Sequence, residues 1–344
     1  MRVFSFLAAA SASALLLCSS ALADGPSTET RLKRDFMPAA MAADQARILN
    51  QLSELDEEGA AKGAFAPFFQ WPSGYSGRLR ICFFGGSEAV RQTIKDLASE
   101  WEKPENSVRF DWGKKGFRNC ETATKKRLMH IRVGFDQPGY FSALGGSSIQ
   151  QRNLDEPSMN FEGFDKMTPE EIRTRNGGYE AGTIRHEFGH AIGLTHEHQS
   201  PKASCEADFD WDFIYKAFGG PPNNWDKATI DFNMRRETDP DIISTKFDPK
   251  SVMKYFYEPK LFKNGDKSSC FVNGDNNEIS PLDLKAIGFM YPAAAGEAAA
   301  RTEANKAALT ALVEKAEEQG ASKGVGDLVQ RFFPAPEADG GDED

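Results

Sequence analysis

Three of the chain's five histidines fall within eleven residues, His186-Glu187-Phe188-Gly189-His190-Ala191-Ile192-Gly193-Leu194-Thr195-His196. Positions four apart on a helix lie on one side, about one turn apart, so His186 and His190 present their imidazoles to a common point. Neutral imidazoles suit Zn2+, and a set of three histidine ligands leaves a fourth coordination position for a water. Glu187, adjacent to the first histidine, is positioned to take a proton from that water as general base. Gly193 accounts for the third ligand. A residue without a β-carbon lets the chain turn sharply, ending the helix so that His196 swings back to the same metal. H-E-x-x-H alone arises by chance about once in two hundred chains of this histidine content, and the added Gly193 and His196 lower that to the order of one in a hundred thousand. His198 follows closely and is read as a neighbour of the metal's surroundings, not as a ligand.

A helix must carry the first two ligands, and the sequence predicts one from about Tyr179 to Leu194. Gly177-Gly178 separates it from a shorter helix opening at Thr168-Pro169-Glu170-Glu171, which supplies an N-cap, a proline at the first helical position and an acidic first turn. Upstream, Leu79–Phe84, Val108–Trp112, His130–Phe135 and Ser158–Phe161 read as strands, with a helix from about Ser87 to Trp101. Ser280-Pro281-Leu282-Asp283 repeats the helix-start chemistry before Leu284–Met290. These dense signals place the body at residues 68–292. Before it, residues 24–67 read as a helical arm or pro-segment, with Ile48, Leu49, Leu52 and Leu55 at helical spacing. After it, residues 293–344 read as an alanine-rich helix, with Leu309, Leu312, Val313 and Ala316 in one stripe, and an acidic, disordered tail.

Residues 1–23 carry the marks of a signal peptide. Arg2 precedes an apolar stretch to about Leu17, and Ala21-Leu22-Ala23 offers a small-x-small cleavage site. The expectation is a secreted protein, extracellular or periplasmic, with no membrane association after signal removal. Cys82, Cys120, Cys205 and Cys270 then remain in an oxidising compartment, where three pairings are open. Cys82–Cys120 and Cys205–Cys270 are the favoured pairs, because each ties neighbouring segments of one half of the chain. The net charge of −10 argues against nucleic acid as a partner, although residues 293–344 alone hold eleven acidic and five basic side chains. A monomer is expected. Asn273-Gly274-Asp275-Asn276-Asn277 lacks the glycine and terminal glutamate of a calcium loop and reads as a polar turn. Asp208, Asp210 and Asp212, alternating with Phe209 and Trp211, read as a half-buried extended segment in preference to a calcium site.

H-E-x-x-H-x-x-G-x-x-H resembles the signature of the metzincin zinc endopeptidases. Glu197, directly after the third histidine, resembles the astacin-like branch, and Ser251-Val252-Met253-Lys254-Tyr255 looks like that branch's S-x-M-x-Y Met-turn. The resemblance covers about residues 68–292. It implies an α+β metzincin (zincin-like) domain with a mixed twisted sheet, an active-site helix and a Met-turn. It also implies one catalytic Zn2+, Met253 as an apolar floor beneath it, and Tyr255 as a switchable fifth ligand and oxyanion donor. The implied activity is a zinc-dependent endopeptidase acting on protein or peptide, with the substrate extended along an edge strand for which Ser158–Phe161 is the candidate. Two departures stand out. His198-Gln199-Ser200-Pro201 continues where animal members usually place an arginine, and the F-x-G-D aspartate with which the family's pro-segment often silences the metal has no Gly-Asp counterpart before residue 68. Nor does a cysteine lie between Ser19 and Ile81. The alternative reading is a catalytically silent secreted zinc-binding or interaction protein on the same scaffold; the intact Glu187 argues against it, since a structural metal site needs no general base.

Overall fold

Strands buried on both faces read as near-continuous apolar runs, and the sheet of this protein is built from such runs. The computed structural model describes residues 34–35, 69–123, 125–146, 153–221, 224–236, 245–318 and 327–333. The expected signal peptide, the expected arm apart from residues 34–35, and the acidic tail lie outside the described residues. Strand β1, Leu79–Phe83, lies between β4, Ile131–Gly134, on one side and the short β2, Phe110–Asp111, and β3, Arg118–Asn119, on the other, all parallel to it. Next to β4 runs β6, Met159–Phe161, also parallel, with Val133 opposite Met159. The last strand, β5, Tyr140–Ser142, pairs antiparallel with β6. The sheet is therefore mixed, as expected, but Ser158–Phe161 is corrected as the candidate edge. Its strand is interior, and the edge belongs to β5, whose three residues offered too little alternation to be read in sequence.

Helix α1, Glu88–Ala98, is capped by Ser87, whose hydroxyl accepts from Val90 N–H, and turns Val90, Ile94 and Leu97 inward. It runs into a 3-10 turn ending at Trp101, whose indole donates to Arg185 O at 3.0 Å. Helix α2, Pro169–Thr174, begins with the anticipated cap, reciprocated between Thr168 and Glu171. Helix α3, Tyr179–Ala191, is buried at every position, enclosed by the sheet, α1, α2 and the loop around Met253. That burial explains its sequence, in which no polar face repeats.

A second core lies beyond α3, built from Phe209, Ile214, Ile230, Met234, Tyr257, Leu261 and Phe262. It is formed by α4, Cys205–Asp208, α5, Trp211–Gly219, and α6, Lys227–Met234, with the loops that follow. Asp208 and Asp212 are helical here, contrary to the extended reading, which holds only for Phe209, bridged to Phe262, and Asp210. Asp210 caps α5 by accepting from Phe213 N–H, and Asp208 accepts from the Ser268 hydroxyl. An N-cap preference outweighed the alternation. Both disulfides pair as anticipated, Cys82–Cys120 within the sheet half and Cys205–Cys270 within the second core. Helix α7, Pro281–Met290, closes the body, and α8, Ala295–Glu318, and α9, Asp327–Phe332, follow, with Leu309 and Val313 of the stripe buried. Among the described residues no helix is long and apolar enough to cross a membrane.

Candidate metal centre

The end of α3 is fixed by hydrogen bonds that need Gly193. Its φ is +94°, a left-handed conformation that strains any residue with a β-carbon. Leu194 N–H bonds Gly189 O and Gly193 N–H bonds His190 O, the paired arrangement that closes a helix with a left-handed residue. The last carbonyls also find partners. The Trp71 indole donates to Ala191 O at 2.8 Å, and the Tyr291 hydroxyl donates to Ile192 O at 2.9 Å. The chain is thereby turned at a defined angle, and His196 returns to the face that carries His186 and His190.

Each of the three imidazoles is held through its Nδ1. His186 Nδ1 lies 2.8 Å from Val252 O, His190 Nδ1 2.7 Å from Leu194 O, and His196 Nδ1 3.1 Å from Gln199 Oε1. Nδ1 donates to these oxygens, so each Nε2 carries its lone pair toward the shared point. Burial pushes the His186 imidazole down to about 4 and lowers that of His196, which favours the neutral form that a metal binds. His198 is fully buried beside this group but does not join it. Its ring stacks at 5.3 Å on that of His196, and its nitrogens meet Asn233 O and the Tyr257 hydroxyl.

The loop carrying Met253 is pinned from two sides. Asp283, in the first turn of α7, accepts from the Ser251 hydroxyl at 2.6 Å and from Val252 N–H at 3.0 Å. Glu197 N–H donates to Met253 O, and the Glu197 carboxylate accepts from Asp248 N–H. Met253 is buried against α3. A β-carbon on Gly189 would stand 2.5 Å from its sulfur, which is the reason for glycine between the two helical histidines. Two residues on, the Tyr255 hydroxyl lies 2.8 Å from His196 Nε2. All residues singled out in the sequence thus meet at one place: His186, Glu187, His190, Gly193, His196, Met253 and Tyr255.

One member of the group escaped the sequence reading. Asp35, from the arm, sets its carboxylate among the imidazoles, 3.2 Å from His186 Nε2, 3.0 Å from His190 Nε2 and 3.5 Å from His196 Nε2, and accepts from the Tyr255 hydroxyl. Its φ is +55°, a conformation that aspartate tolerates better than most residues. The missing Gly-Asp pair before the body left latency open; here the aspartate follows arginine, in Arg34-Asp35-Phe36. The legible signal was a lone acid within a basic run, too weak to single out. Burial works to raise the Asp35 carboxyl, but the His186 and His196 imidazoles outweigh it and hold the group well below the usual range. Glu187 behaves in the opposite sense, pushed well above the usual range by burial and by Asp35.

The donor set fits zinc. The four side chains offer ligand atoms within 4.8 Å of one another. Both Glu187 carboxylate oxygens are buried without a hydrogen-bond partner, a costly state unless a cation and its polar ligands answer them. Three neutral imidazoles with one oxygen donor form a tetrahedral zinc set.

A mixed sheet, a buried helix bearing two histidines, a glycine turn to a third and a methionine loop beneath them define a metzincin-type metal domain. Residues 163–291 match the family model Astacin (peptidase family M12A). The chain is 34% identical over 136 residues to zinc metalloproteinase nas-36 of Haemonchus contortus, a match covering 34% of this chain and 20% of that protein. It therefore spans about a fifth of the length of that curated relative. The solved structure of myroilysin superposes with a TM-score of 0.51 at 29% identity, covering 65% of this chain and 96% of myroilysin. The chain thus carries an astacin-like metzincin domain of α+β fold with a zinc site.

Proposed function

We propose that this chain is an exported zinc-dependent endopeptidase held latent by Asp35 of its own arm. The observation that carries the reading is the pairing of three convergent imidazoles with a buried, otherwise unpartnered Glu187 carboxylate beside them. His186, His190 and His196 would hold a zinc ion, which when bound would supply Lewis-acid polarisation of the scissile carbonyl and lower the pKa of a neighbouring water. Glu187, whose carboxylate oxygens are buried beside the imidazoles, would take a proton from a water there and deliver it to the leaving amine. Tyr255, whose hydroxyl lies 2.8 Å from His196 Nε2, would donate its hydroxyl hydrogen to the oxyanion. In the latent form the Asp35 carboxylate lies among the three imidazoles and engages Tyr255, so one side chain would occupy the open position at the metal and hold the oxyanion donor. The two disulfides support export, because such bonds persist in oxidising compartments. The residues matched to the family support an astacin-like active site, and protein or peptide is the substrate class.

The test uses the zinc-loaded full chain on an unfolded protein substrate. The expected result is weak cleavage by the native chain, a gain of at least about tenfold on Asp35→Ala, and loss of about 100- to 10,000-fold when Glu187→Ala is added at unchanged zinc content. A zinc-bound Asp35→Ala chain that cleaves nothing would overturn the reading in favour of the silent zinc-binding scaffold.

A further inference from the structure

The residue before Asp35 occupies a pocket of its own. Arg34 pairs as an isolated parallel bridge with Tyr140 on the edge strand β5, which fixes the backbone beside the sheet, and its side chain is 2% exposed. The guanidinium lies over the Tyr179 ring, 4.3 Å from its centroid. Its Nη2 donates to the Thr183 hydroxyl at 3.0 Å and to Tyr179 O at 3.4 Å, and its Nη1 stands 3.8 Å from the Asp275 carboxylate. The walls belong to the body and not to the arm. Tyr179 and Thr183 come from α3, on the turn preceding His186 and Glu187, Tyr140 from the edge strand, and Asp275 from the polar turn before α7. An aromatic face, a hydroxyl, a backbone carbonyl and a carboxylate form the set that recognises a guanidinium or ammonium.

Arg34 fits this set incompletely. Its Nε and Nη1 make no hydrogen bond, and the separation from Asp275 exceeds a direct hydrogen bond. A buried guanidinium held in this way is weak support for the arm alone, because desolvation of the charge is repaid only by close pairing. The pocket is therefore better explained as a part of the peptide-binding cleft that the arm borrows, one residue from the point where the imidazoles converge.

We infer that the pocket formed by Tyr140, Tyr179, Thr183 and Asp275 is a subsite for an arginine or lysine flanking the scissile bond, with Asp275 as its specificity-determining residue. The inference rests on the endopeptidase reading above. A substrate strand laid along β5 brings one side chain next to the reacting carbonyl into this pocket, as Arg34 is brought when Asp35 reaches the imidazoles. Asp275 selects positive charge, and Tyr179 supplies a flat face for the alkyl stem and the cation.

The test uses the zinc-loaded full chain with Arg34→Ala and Asp35→Ala, which clears both the pocket and the metal. Cleavage of a mixed-sequence peptide pool, read by mass spectrometry, is expected to favour arginine and lysine over norleucine by about 10- to 100-fold at one position flanking the cut. Asp275→Asn in that background should remove most of this preference, read as the ratio of basic to norleucine cleavage within one peptide pool. Asp275→Arg should shift the preference toward glutamate, a gain that misfolding cannot produce. An active enzyme without a basic preference, or one whose preference survives Asp275→Asn, overturns the inference. Binding provides a readout independent of turnover. Nα-acetyl-arginine amide should bind the cleared chain about tenfold more tightly than the norleucine analogue, and Asp275→Asn should abolish the difference. If the cleared chain cuts nothing, the endopeptidase reading fails, and this binding difference alone decides the pocket: its presence sustains the cation site and equal binding removes it.

Discussion

Tyr255 illustrates how much can rest on a single hydroxyl group. Its hydroxyl lies 2.8 Å from His196 Nε2 and is engaged by Asp35 in the latent arrangement. In the mechanism proposed above, the same donor would be free, once Asp35 leaves, to meet charge developing on the carbonyl oxygen of a substrate. Tyr255→Phe keeps the ring, which packs beside His186 and His198, and removes only the donor. In the Asp35→Ala background it should lower kcat by about 100- to 1,000-fold with KM and zinc content nearly unchanged, the pattern of a contact made only in the transition state. Steady-state kinetics on one peptide, with metal analysis of the same sample, decides this. A parallel rise in KM would assign the hydroxyl to substrate binding instead. The spacing of His186, His190 and His196 made the metal legible in sequence, because helical periodicity and a glycine turn are local rules. Asp35 and Asp275 were not legible, since both reach the site through contacts more than a hundred residues away from their own positions in the chain.

At the scale of elements, α7 acts on the metal site without touching the metal. Asp283 completes the reciprocal cap with Ser280 and also accepts from the Ser251 hydroxyl and Val252 N–H, so the helix start and the methionine loop share one carboxylate. The cap was readable from Ser280-Pro281-Leu282-Asp283; its second task was not, because nothing local ties residue 283 to residue 251. Asp283→Ala leaves three buried donors without acceptors and should cost about 3 kcal/mol, measured by urea unfolding. It should also weaken zinc retention, because Val252 O orients His186. The strands show the same limit. Leu79–Phe83 and Ile131–Gly134 were apparent from apolar runs, whereas β5, three residues long, acquires its place only by pairing with β6. His130 sits where β4 begins, accepting from Arg80 N–H through Nδ1, and burial followed by the Arg80 charge lowers it to about 3. The unfolded chain binds this proton near the usual 6.5, so its contribution to stability is complete above about pH 6.5 and is lost as pH falls toward 3. The acid limb should steepen by about 1.4 kcal/mol per pH unit across that range. His130→Asn retains an acceptor without a titrating group and should flatten that limb in acid denaturation of the zinc-loaded protein.

At the scale of the molecule there are two main cores, with Cys82–Cys120 in a small cluster beside the sheet and Cys205–Cys270 within the second core. The sheet core encloses Ile81, Val133 and Phe188, while the second core encloses Phe209, Ile230 and Tyr257. The candidate zinc ligands connect to both. His186 and His190 belong to the helix of the first core, and His196 is stacked against His198, whose partners Tyr257 and Asn233 belong to the second. The bridges close segments of 38 and 65 residues, and by chain entropy each is worth about 4 kcal/mol, so removing either should cost similar stability. Their effects on the metal should nevertheless differ. Cys205→Ala with Cys270→Ala loosens the core that holds His198 and, through it, His196. Cys82→Ala with Cys120→Ala loosens the sheet at β1 and β3, away from every ligand. Thermal unfolding should fall alike in the two double variants, while competition with a chelator should show zinc leaving the first at least about tenfold more readily than the second. Equal zinc retention would mean that α3 and its glycine turn hold His196 without help from the second core.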